Sequence, residues 1–245
     1  AGVDLGTDNI AAIACTDGSS VVYKGGAILS ANQFFAKQKA SAVSILTKGK
    51  KHRHASSAFL NDLSLKHDCF LKDQMHKLST AIVRYCIAHR IGILVVGTNR
   101  LWKQHASMSK ENNQKFVSIP HEKLRWMISY KALIAGIEVI WQEESYTSKA
   151  DCTAGDLIPV YGKEKTHLVF SGRRIERGLY LCKAGYCINA DCNGAANILR
   201  KAFPHAWDKC KDFQFLSTPA SVGFKSLNPS SIPNRQKQRA ANKKK

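Results

Sequence analysis

Hydrophobic and polar positions alternate at the start of the chain, and this alternation predicts an opening β-strand. Val3 and Leu5 point to one face of such a strand, whereas Asp4 between them points to the other. Two further short apolar runs, at 10–15 and 21–23, flank a turn sequence at 16–19. Together the three runs predict a three-stranded meander.

Longer-period patterns farther along the chain predict helices between further strands. A helical pattern starts after Gly26 and breaks near residues 48–51. A second helix is predicted by an apolar stripe at steps of four and three, which comprises Leu71, Met75, Leu78, Ile82 and Tyr85. Residues 93–97 and 137–141 predict strands, the first buried on both faces, and a helix follows Pro120 between them.

An irregular stretch at about 150–178 precedes a short strand at 179–182 and a last helix from Asp191 through Lys201. Strands and helices in this order predict an α/β sheet with helices on both faces. We divide the chain into a core at 1–148, an insertion at 149–180, a completion of the core at 181–204 that carries the last helix, and an irregular basic tail at 205–245.

The net charge of the chain limits the kinds of partner that it is expected to bind. The 245 residues include 37 basic and 18 acidic ones, a formal net charge of +19. So many positive charges repel one another unless a polyanion screens them, which indicates nucleic acid as a partner. No stretch is long and apolar enough to span a bilayer, so we expect no membrane partner. Eight cysteines in such a chain indicate reduced thiols in a cytosolic setting, or a metal site.

Acidic residues lie where several predicted elements begin or end. Two divalent ions about 3.5–4 Å apart need several carboxylates from different elements, and open α/β sheets gather their sites at strand ends. The candidates are Asp4, Glu143, Glu144 and Asp191. Asp4 could instead be a turn residue before Gly6, and Asp191 could be the N-cap of the last helix.

Three motifs, taken in order, resemble those of one family. They are Gly2-Val3-Asp4-Leu5-Gly6 with Asn9, Tyr146-Thr147-Ser148-Lys149, and Asn189-Ala190-Asp191 with Asn193, Ala195, Asn197 and Ile198. These motifs are similar to the RuvC-like nuclease domain of the TnpB/OrfB transposon-associated proteins, compact RNA-guided DNA endonucleases related to the type V CRISPR effectors. The resemblance runs from Ala1 to about Pro204, and the N-terminal half of the family pattern is missing.

The resemblance implies an RNase H-like (RuvC) mixed sheet and Mg²⁺-dependent hydrolysis of DNA. It implies that Asp4, Glu144 and Asp191 hold two Mg²⁺ ions, which Mn²⁺ can replace. DNA is the implied partner, with guide RNA in the full-length protein. An RNase H or a junction resolvase would share the fold and the metals, because fold does not fix substrate.

One departure from the family pattern concerns its second acid. The usual place, near the end of the fourth strand, is Val96-Gly97-Thr98-Asn99 here, and no acidic residue lies between Asp73 and Glu111. Some members resemble this chain in carrying the glutamate before the Thr-Ser pair that follows strand five. Because strand residues alternate, only one of Glu143 and Glu144 should reach the site, and we predict Glu144. The alternative is a catalytically weak or inactive nucleic-acid-binding module of a mobile element.

A second departure concerns zinc. The family often has two Cys-x-x-Cys pairs around the insertion, whereas this chain has Cys152 on one side and Cys182 and Cys187 on the other. With His167 these thiols could form a Cys₃His site, but their spacing does not match structural zinc sites. We therefore favour a degenerate, metal-free, zinc-ribbon-like loop that binds target nucleic acid.

Basic residues in and around the loops are candidates for phosphate contacts. They are Lys50, Lys51, Arg53, Lys103, Arg173 and Arg174. Any one of them could equally be a solvated surface charge. As a group they predict an affinity for nucleic acid that falls steeply with salt.

Overall fold

The computed structural model describes residues 1–49, 55–98, 118–160 and 169–227. Its strands, in chain order, are β1 (Gly2–Asp4), β2 (Asn9–Ala14), β3 (Ser20–Lys24), β4 (Ile93–Thr98), β5 (Glu138–Glu143), β6 (Arg173–Glu176), β7 (Leu179–Leu181), β8 (Cys187–Asn189) and β9 (Ala220–Val222). Six of them form a central sheet in the order β5-β4-β1-β2-β3-β9, and β6-β7-β8 form a second, smaller sheet.

The central sheet is mixed. β1, β2 and β3 pair antiparallel as the predicted meander, while β4 runs parallel to β1, β5 parallel to β4, and β9 parallel to β3. The strands predicted at 93–97 and 137–141 are confirmed. β5 extends to Glu143, so Glu144 follows the strand directly.

Four α-helices accompany the sheets in the described residues: α1 (Gly26–Thr47), α2 (Ala58–Ala88), α3 (His121–Ile134) and α4 (Ala190–Ala202). The predicted apolar stripe of α2 is confirmed, since Met75, Leu78 and Ile82 are fully buried. α2 begins after Ser57, whose side chain accepts a hydrogen bond from the N–H of Leu60 at 3.2 Å.

Each face of the central sheet has its own hydrophobic core. Val3 and Val96 pack with Met75 and other side chains of α1, α2 and α3 on one face. Val95 packs on the other face with Ala195 and further residues of α4. The predicted α/β fold with helices on both faces is thereby confirmed, and α4 is the helix that covers the face toward which Asp4 projects.

The small sheet was not predicted as a sheet, because most of its first strand falls in a stretch without an alternating pattern. β6 pairs antiparallel with β7, and β7 with β8. All four residues of β6 are exposed, and three of them are charged. The strand exists through its pairing with β7 and has no apolar face of its own, so periodicity gives no signal for it.

The prediction of an irregular tail from residue 205 missed a part of the fold. Trp207 and Leu216 are buried in the core beside α4. The three-residue strand β9 forms the edge of the central sheet and pairs with β3, about 200 residues earlier in the chain. So short a strand carries no local pattern, and its pairing partner is distant in sequence. Residues 228–245 lie outside the described part of the chain.

Two further expectations concern membranes and thiols. Within the described ranges, no helix has the length and apolar character needed to cross a membrane.

All eight cysteines are unpaired, and Cys15, Cys86, Cys152 and Cys192 are among the buried ones. Burial raises the pKa of the Cys15 thiol to about 11, which keeps that thiol protonated.

Candidate active site

Asp4 ends β1 on the face of the sheet that α4 covers. Its neighbour Val3 is in the core of the opposite face, as strand alternation requires. The carboxylate lies against Gly194 of α4, where an added Cβ would be 2.5 Å from Asp4 Oδ2. A glycine at position 194 therefore leaves the space into which this carboxylate projects.

Glu144 directly follows β5, and its carboxylate lies over the neighbouring strand β4. A Cβ added at Gly97 would be 2.5 Å from Glu144 Oε2. That oxygen is buried and accepts no hydrogen bond from the described residues. Burial raises the pKa of Glu144 to about 7, with the charge of Arg125 opposing the rise and that of Glu143 adding to it. The carboxylate of Glu144 thus lies beside the end of β4, the part of the fold where the family pattern usually has its acid.

Glu143 is engaged by partners of its own. Lys201 Nζ donates to Glu143 Oε2 at 2.5 Å, and the N–H of Ser145 donates to Glu143 Oε1 at 2.7 Å. Although burial alone would raise it, the contacts with Lys201 and Ser145 hold the pKa of Glu143 below its usual value. Of the two adjacent glutamates, Glu144 is the one left with an unpartnered carboxylate oxygen.

Asp191 lies in the first turn of α4 and is not its N-cap. The cap is Asn189, whose side chain accepts hydrogen bonds from the N–H groups of Asp191 and Cys192 at 3.0 and 3.1 Å. Asn9 Nδ2 donates to Asp191 Oδ2 at 2.6 Å, and Arg174 Nη2 lies 3.8 Å from Asp191 Oδ1. The capping interpretation of Asp191 was therefore wrong, and its carboxylate is oriented by Asn9.

The other two carboxylates act on Asp4. Burial raises the pKa of Asp4 well above its usual range, the charges of Glu144 and Asp191 raise it further, and the charge of Arg174 opposes them. A cation among such groups would relieve this repulsion. Carboxylate oxygens are the ligands that Mg²⁺ prefers, and the unpartnered oxygen of Glu144 offers one. In the described residues, however, no three such side chains are already gathered at metal-binding distance, so the carboxylates would have to draw closer around an ion.

The first turn of α3 borders the site, and it was given no functional role from the sequence. His121 is 5% exposed, and its Nε2 lies 2.9 Å from the carbonyl oxygen of Gly6 in the loop after β1. Burial lowers the pKa of His121. Arg125, one helical turn later, pairs with Glu122 and contributes positive charge near Glu144. His121 and Arg125 are four residues apart in the helix predicted after Pro120. This spacing places them on one helix face, and it was the only sign in the sequence that they act together.

Two turns of the insertion are joined by a buried aspartate. Asp151 is 0% exposed. Its carboxylate accepts hydrogen bonds from the N–H and Oγ1 of Thr153 at 2.9 and 2.7 Å, and from the N–H of Lys183 at 2.7 Å. Asp151 thereby links the turn that contains Cys152 to the turn that follows Cys182. The two turns that would each carry ligands in a zinc ribbon are held here by one carboxylate.

The basic residues predicted to contact nucleic acid are only partly described. Arg173 and Arg174 are exposed on β6, and Arg174 is the one beside Asp191. Arg177, in the loop between β6 and β7, pairs with Asp8 of the loop between β1 and β2. Outside the described residues lie Lys50, Lys51, Arg53, Lys103 and the candidate zinc ligand His167.

The fold and the placement of the acids define a class of protein. An antiparallel meander is extended by two parallel strands, acids lie at the ends of β1 and β5, and a helix that carries a third acid covers that face. This is the RNase H-like, RuvC-type α/β fold.

Comparisons with known proteins support the family that the motifs resemble. The sequence model of OrfB_IS605, described as "Probable transposase", matches residues 1–103, and that of the Cas12f1-like TNB domain matches residues 121–198. TnpB-like protein ORF457 of Acidianus two-tailed virus is 24% identical over 208 residues, which are 82% of this chain and 41% of the viral protein. The CRISPR-associated endodeoxyribonuclease Cas12f2 of a Micrarchaeota archaeon is 26% identical over 212 residues, 82% of this chain and 36% of the relative.

Solved structures share the fold. The protein in the Cas12f1–sgRNA–target DNA complex matches with a TM-score of 0.54 at 19% identity, over 80% of this chain and 48% of that one. The CRISPR-Cas12f ternary complex matches with a TM-score of 0.53 at 19% identity, over 80% and 37%. These matches support a protein of the TnpB/OrfB family, as its motifs predicted. It spans less than half the length of these relatives.

Proposed function

We propose that this chain contains the nuclease domain of an RNA-guided DNA endonuclease, in which Asp4, Glu144 and Asp191 bind two Mg²⁺ ions. The observation that carries the proposal is the carboxylate of Glu144, which has a buried oxygen without a hydrogen-bond partner in the described residues. This carboxylate is also close enough to Asp4 for its charge to raise the pKa of Asp4. Such an arrangement costs stability unless a cation joins it. Membership of the TnpB/OrfB family supports the same class of reaction.

The residues around the acids fit hydrolysis of a phosphodiester. Bound to these acids, Mg²⁺ ions would supply a hydroxide from water and stabilise the leaving 3′ oxygen, and Mn²⁺ would serve in their place. Asn9 holds one oxygen of Asp191 and leaves the other toward Arg174. Arg174, 48% exposed, is placed to bind a phosphate that approaches Asp191.

The partners of the complete protein follow from the family and from the charge. The relatives are more than twice as long as their matched parts, so we propose that guide RNA pairing is organised by the complete protein and not by this chain alone. We propose that DNA enters along the exposed arginines of β6. The hydrogen bonds of Asp151 replace zinc in holding the insertion together.

Cleavage assays test the proposal. DNA cleavage with Mg²⁺ and guide RNA is measured for the complete parent protein and for Asp4→Ala, Glu144→Ala and Asp191→Ala. Each substitution is expected to lower the cleavage rate at least about 1,000-fold. The matched control is Glu138→Ala, an exposed acid at the other end of β5, which is expected to cleave like the parent.

A second candidate function is a nucleic-acid-binding module that no longer cuts. It is favoured by the glycine on β4 where the family usually has an acid, and by the absence of a preformed cluster of three metal-binding side chains in the described residues. A parent protein that binds DNA and guide RNA but does not cleave with Mg²⁺ or Mn²⁺ would establish this function and overturn the first one.

A further inference from the structure

α4 presents a buried polar stripe to the segment that carries Glu144. Asn193, Asn197 and Lys201 are spaced four residues apart, so they share one face of the helix. Asn193 and Asn197 are 0% exposed, and the side chain of Lys201 is 5% exposed. Polar groups buried to this degree are usually hydrogen-bonded, and all three residues donate to partners, although Asn197 Oδ1 accepts no hydrogen bond from the described residues. The partners of the stripe therefore indicate what it is for.

The two asparagines bind the backbone of the turn after Glu144. Asn193 Nδ2 donates to the carbonyl of Ala150 at 2.9 Å, and Asn193 Oδ1 accepts from the N–H of Cys152 at 3.1 Å. Asn197 Nδ2 donates to the carbonyls of Thr147 and Ala150 at 2.9 and 2.7 Å. Two turns of α4 thus hold a single loop by its main chain.

Lys201 binds the other end of the same loop. Its Nζ donates to the Glu143 carboxylate at 2.5 Å and to the carbonyls of Ser145 and Pro159 at 3.0 Å each. Glu143 and Ser145 flank Glu144. The side chain of Glu144 is therefore bracketed by two residues that the helix holds in place.

The loop would not keep this shape unaided. Tyr146 has a φ of 66°, a left-handed conformation that is sterically unfavourable for a residue with a Cβ. The N–H groups of Lys149 and Ala150 both donate to the carbonyl of Tyr146 at 3.0 Å. Contacts from outside the loop must offset the strain at Tyr146, and the stripe supplies them.

We propose that Asn193, Asn197 and Lys201 are positioning residues for metal binding. They fix the loop of Glu144 to the helix that also carries Asp191, and so set the separation between these two carboxylates. Lys201 also determines which of the two adjacent acids binds the ion, because it binds the carboxylate of Glu143 and leaves that of Glu144 free to bind metal. The proposal deepens the proposed function of this site and rests on it.

Binding of Mn²⁺, measured by titration calorimetry on the full chain, tests the asparagines without requiring cleavage. Asn197→Ala is expected to weaken Mn²⁺ binding about 10–100-fold, as loss of groups that orient metal ligands does. The matched control is Asn32→Ala. Asn32 is also a buried helical asparagine, and it binds His67 and Ser118 away from the acids. We expect this control to lower thermal stability but leave the Mn²⁺ affinity unchanged.

Lys201 provides a second series that does not depend on the asparagines. Lys201→Met is expected to weaken Mn²⁺ binding about tenfold, since Glu143 then competes with Glu144. Lys201→Arg keeps the charge and the donors, and should bind Mn²⁺ like the parent. Adding Glu143→Gln to Lys201→Met removes the competing acid and should restore most of the affinity.

The outcomes separate this inference from the proposed function. If Asp4→Ala binds Mn²⁺ as tightly as the parent, the site is not a metal centre and both proposals are wrong. If Asp4→Ala loses Mn²⁺ binding while folded Asn197→Ala and Lys201→Met retain it, only the positioning role is wrong. An equal loss of affinity in Asn32→Ala and Asn197→Ala would also overturn that role, because it would reflect general destabilisation.

Discussion

Buried carboxylates occur in two regions of this chain, and their hydrogen bonding differs between the two. In the insertion, Asp151 is fully buried and receives three hydrogen bonds from Thr153 and Lys183. In the central site, Glu144 has a buried oxygen that receives none from the described residues, and burial raises its pKa to about 7. A carboxylate supplied with donors holds a structure together, whereas one left without them is poised for a ligand.

A second aspartate of the insertion follows the same rule as Asp151. Asp156 accepts hydrogen bonds from the N–H and Oγ of Ser171 and from the N–H of Asp151. Although burial alone would raise it, these donors hold the pKa of Asp156 below its usual value. The insertion thus uses acids as structural links, and the central site keeps its acids available.

The largest expected effect on stability comes from removing the link in the insertion. Asp151→Ala leaves three donors without their acceptor and should lower the free energy of unfolding by about 3 kcal/mol. Urea unfolding measures this change, and Mn²⁺ affinity should not fall with it. Unchanged stability, together with one equivalent of zinc in the purified protein, would show that a metal and not Asp151 holds the insertion.

The next effect separates geometry from stability in the central site. Gly194→Ala places a Cβ 2.5 Å from the present position of Asp4 Oδ2 and should displace that carboxylate. We expect DNA cleavage to fall about 100-fold, the loss that a displacement of about 1 Å can cause. Stability should change little, because the advantage of about 1 kcal/mol that alanine has over glycine in a helix opposes the cost of displacing the carboxylate.

Gly26→Ala in α1 is the control for this substitution, since nothing lies within 4 Å of the added Cβ. It should cleave DNA like the parent protein. Normal cleavage by Gly194→Ala would mean that the Asp4 carboxylate does not need its present position for the reaction.

A smaller effect of opposite sign is expected when the repulsion among the acids is relieved. Asp4→Asn removes one charge and adds donors for Glu144 and Asp191, so it should stabilise the metal-free protein by about 1 kcal/mol. Thermal unfolding with a chelator measures the change. With Mg²⁺ the parent should be more stable than Asp4→Asn, because the ion binds and stabilises only the parent. A variant that is less stable than the parent in both conditions would place Asp4 with the structural acids.

The last effect is a pH dependence of stability without metal. The pKa of Glu144 is about 7 in the folded chain against 4.5 in the unfolded one, so the folded chain binds its proton more tightly. The free energy of unfolding should therefore fall as the pH rises from about 4.5 to 7 and level off above that range. Partial solvent access reduces the size of this effect.

Unfolding of the parent and of Glu144→Gln across this pH range gives the comparison. The substitution should remove part of the decline in stability, since Asp4, whose pKa is also raised, contributes the rest, while Glu143→Gln should leave the decline in place. A parent protein whose stability rises over the same range would contradict the assignment of an unpartnered acid at position 144.

Much of the fold was predictable because its signals are local. The meander, the stripe of α2 and the apolar run of β4 are each encoded in one continuous stretch of sequence, and all are present. The strands β6, β8 and β9 were missed, since each is defined by pairing with another strand. Strand alternation predicted that only one of Glu143 and Glu144 reaches the site. That Lys201 binds Glu143 could not be predicted from the sequence.

The surroundings of the candidate site were less accessible to sequence reasoning. Gly97 was noticed only as the place of a missing acid, whereas in the fold it makes room for the carboxylate of Glu144. Arg174 was predicted to contact nucleic acid, and the fold places it beside Asp191. Arg125 approaches Glu144 from a separate helix. Each of these facts depends on which elements the fold brings side by side, and no local pattern encodes that.

Anomalous diffraction from a crystal soaked in Mn²⁺ tests the central claim most directly. We predict Mn²⁺ peaks in contact with the carboxylates of Asp4, Glu144 and Asp191, with Glu143 still bound to Lys201. A fully soaked crystal that shows no peak at these acids, or a peak at Glu143 instead of Glu144, would contradict the account.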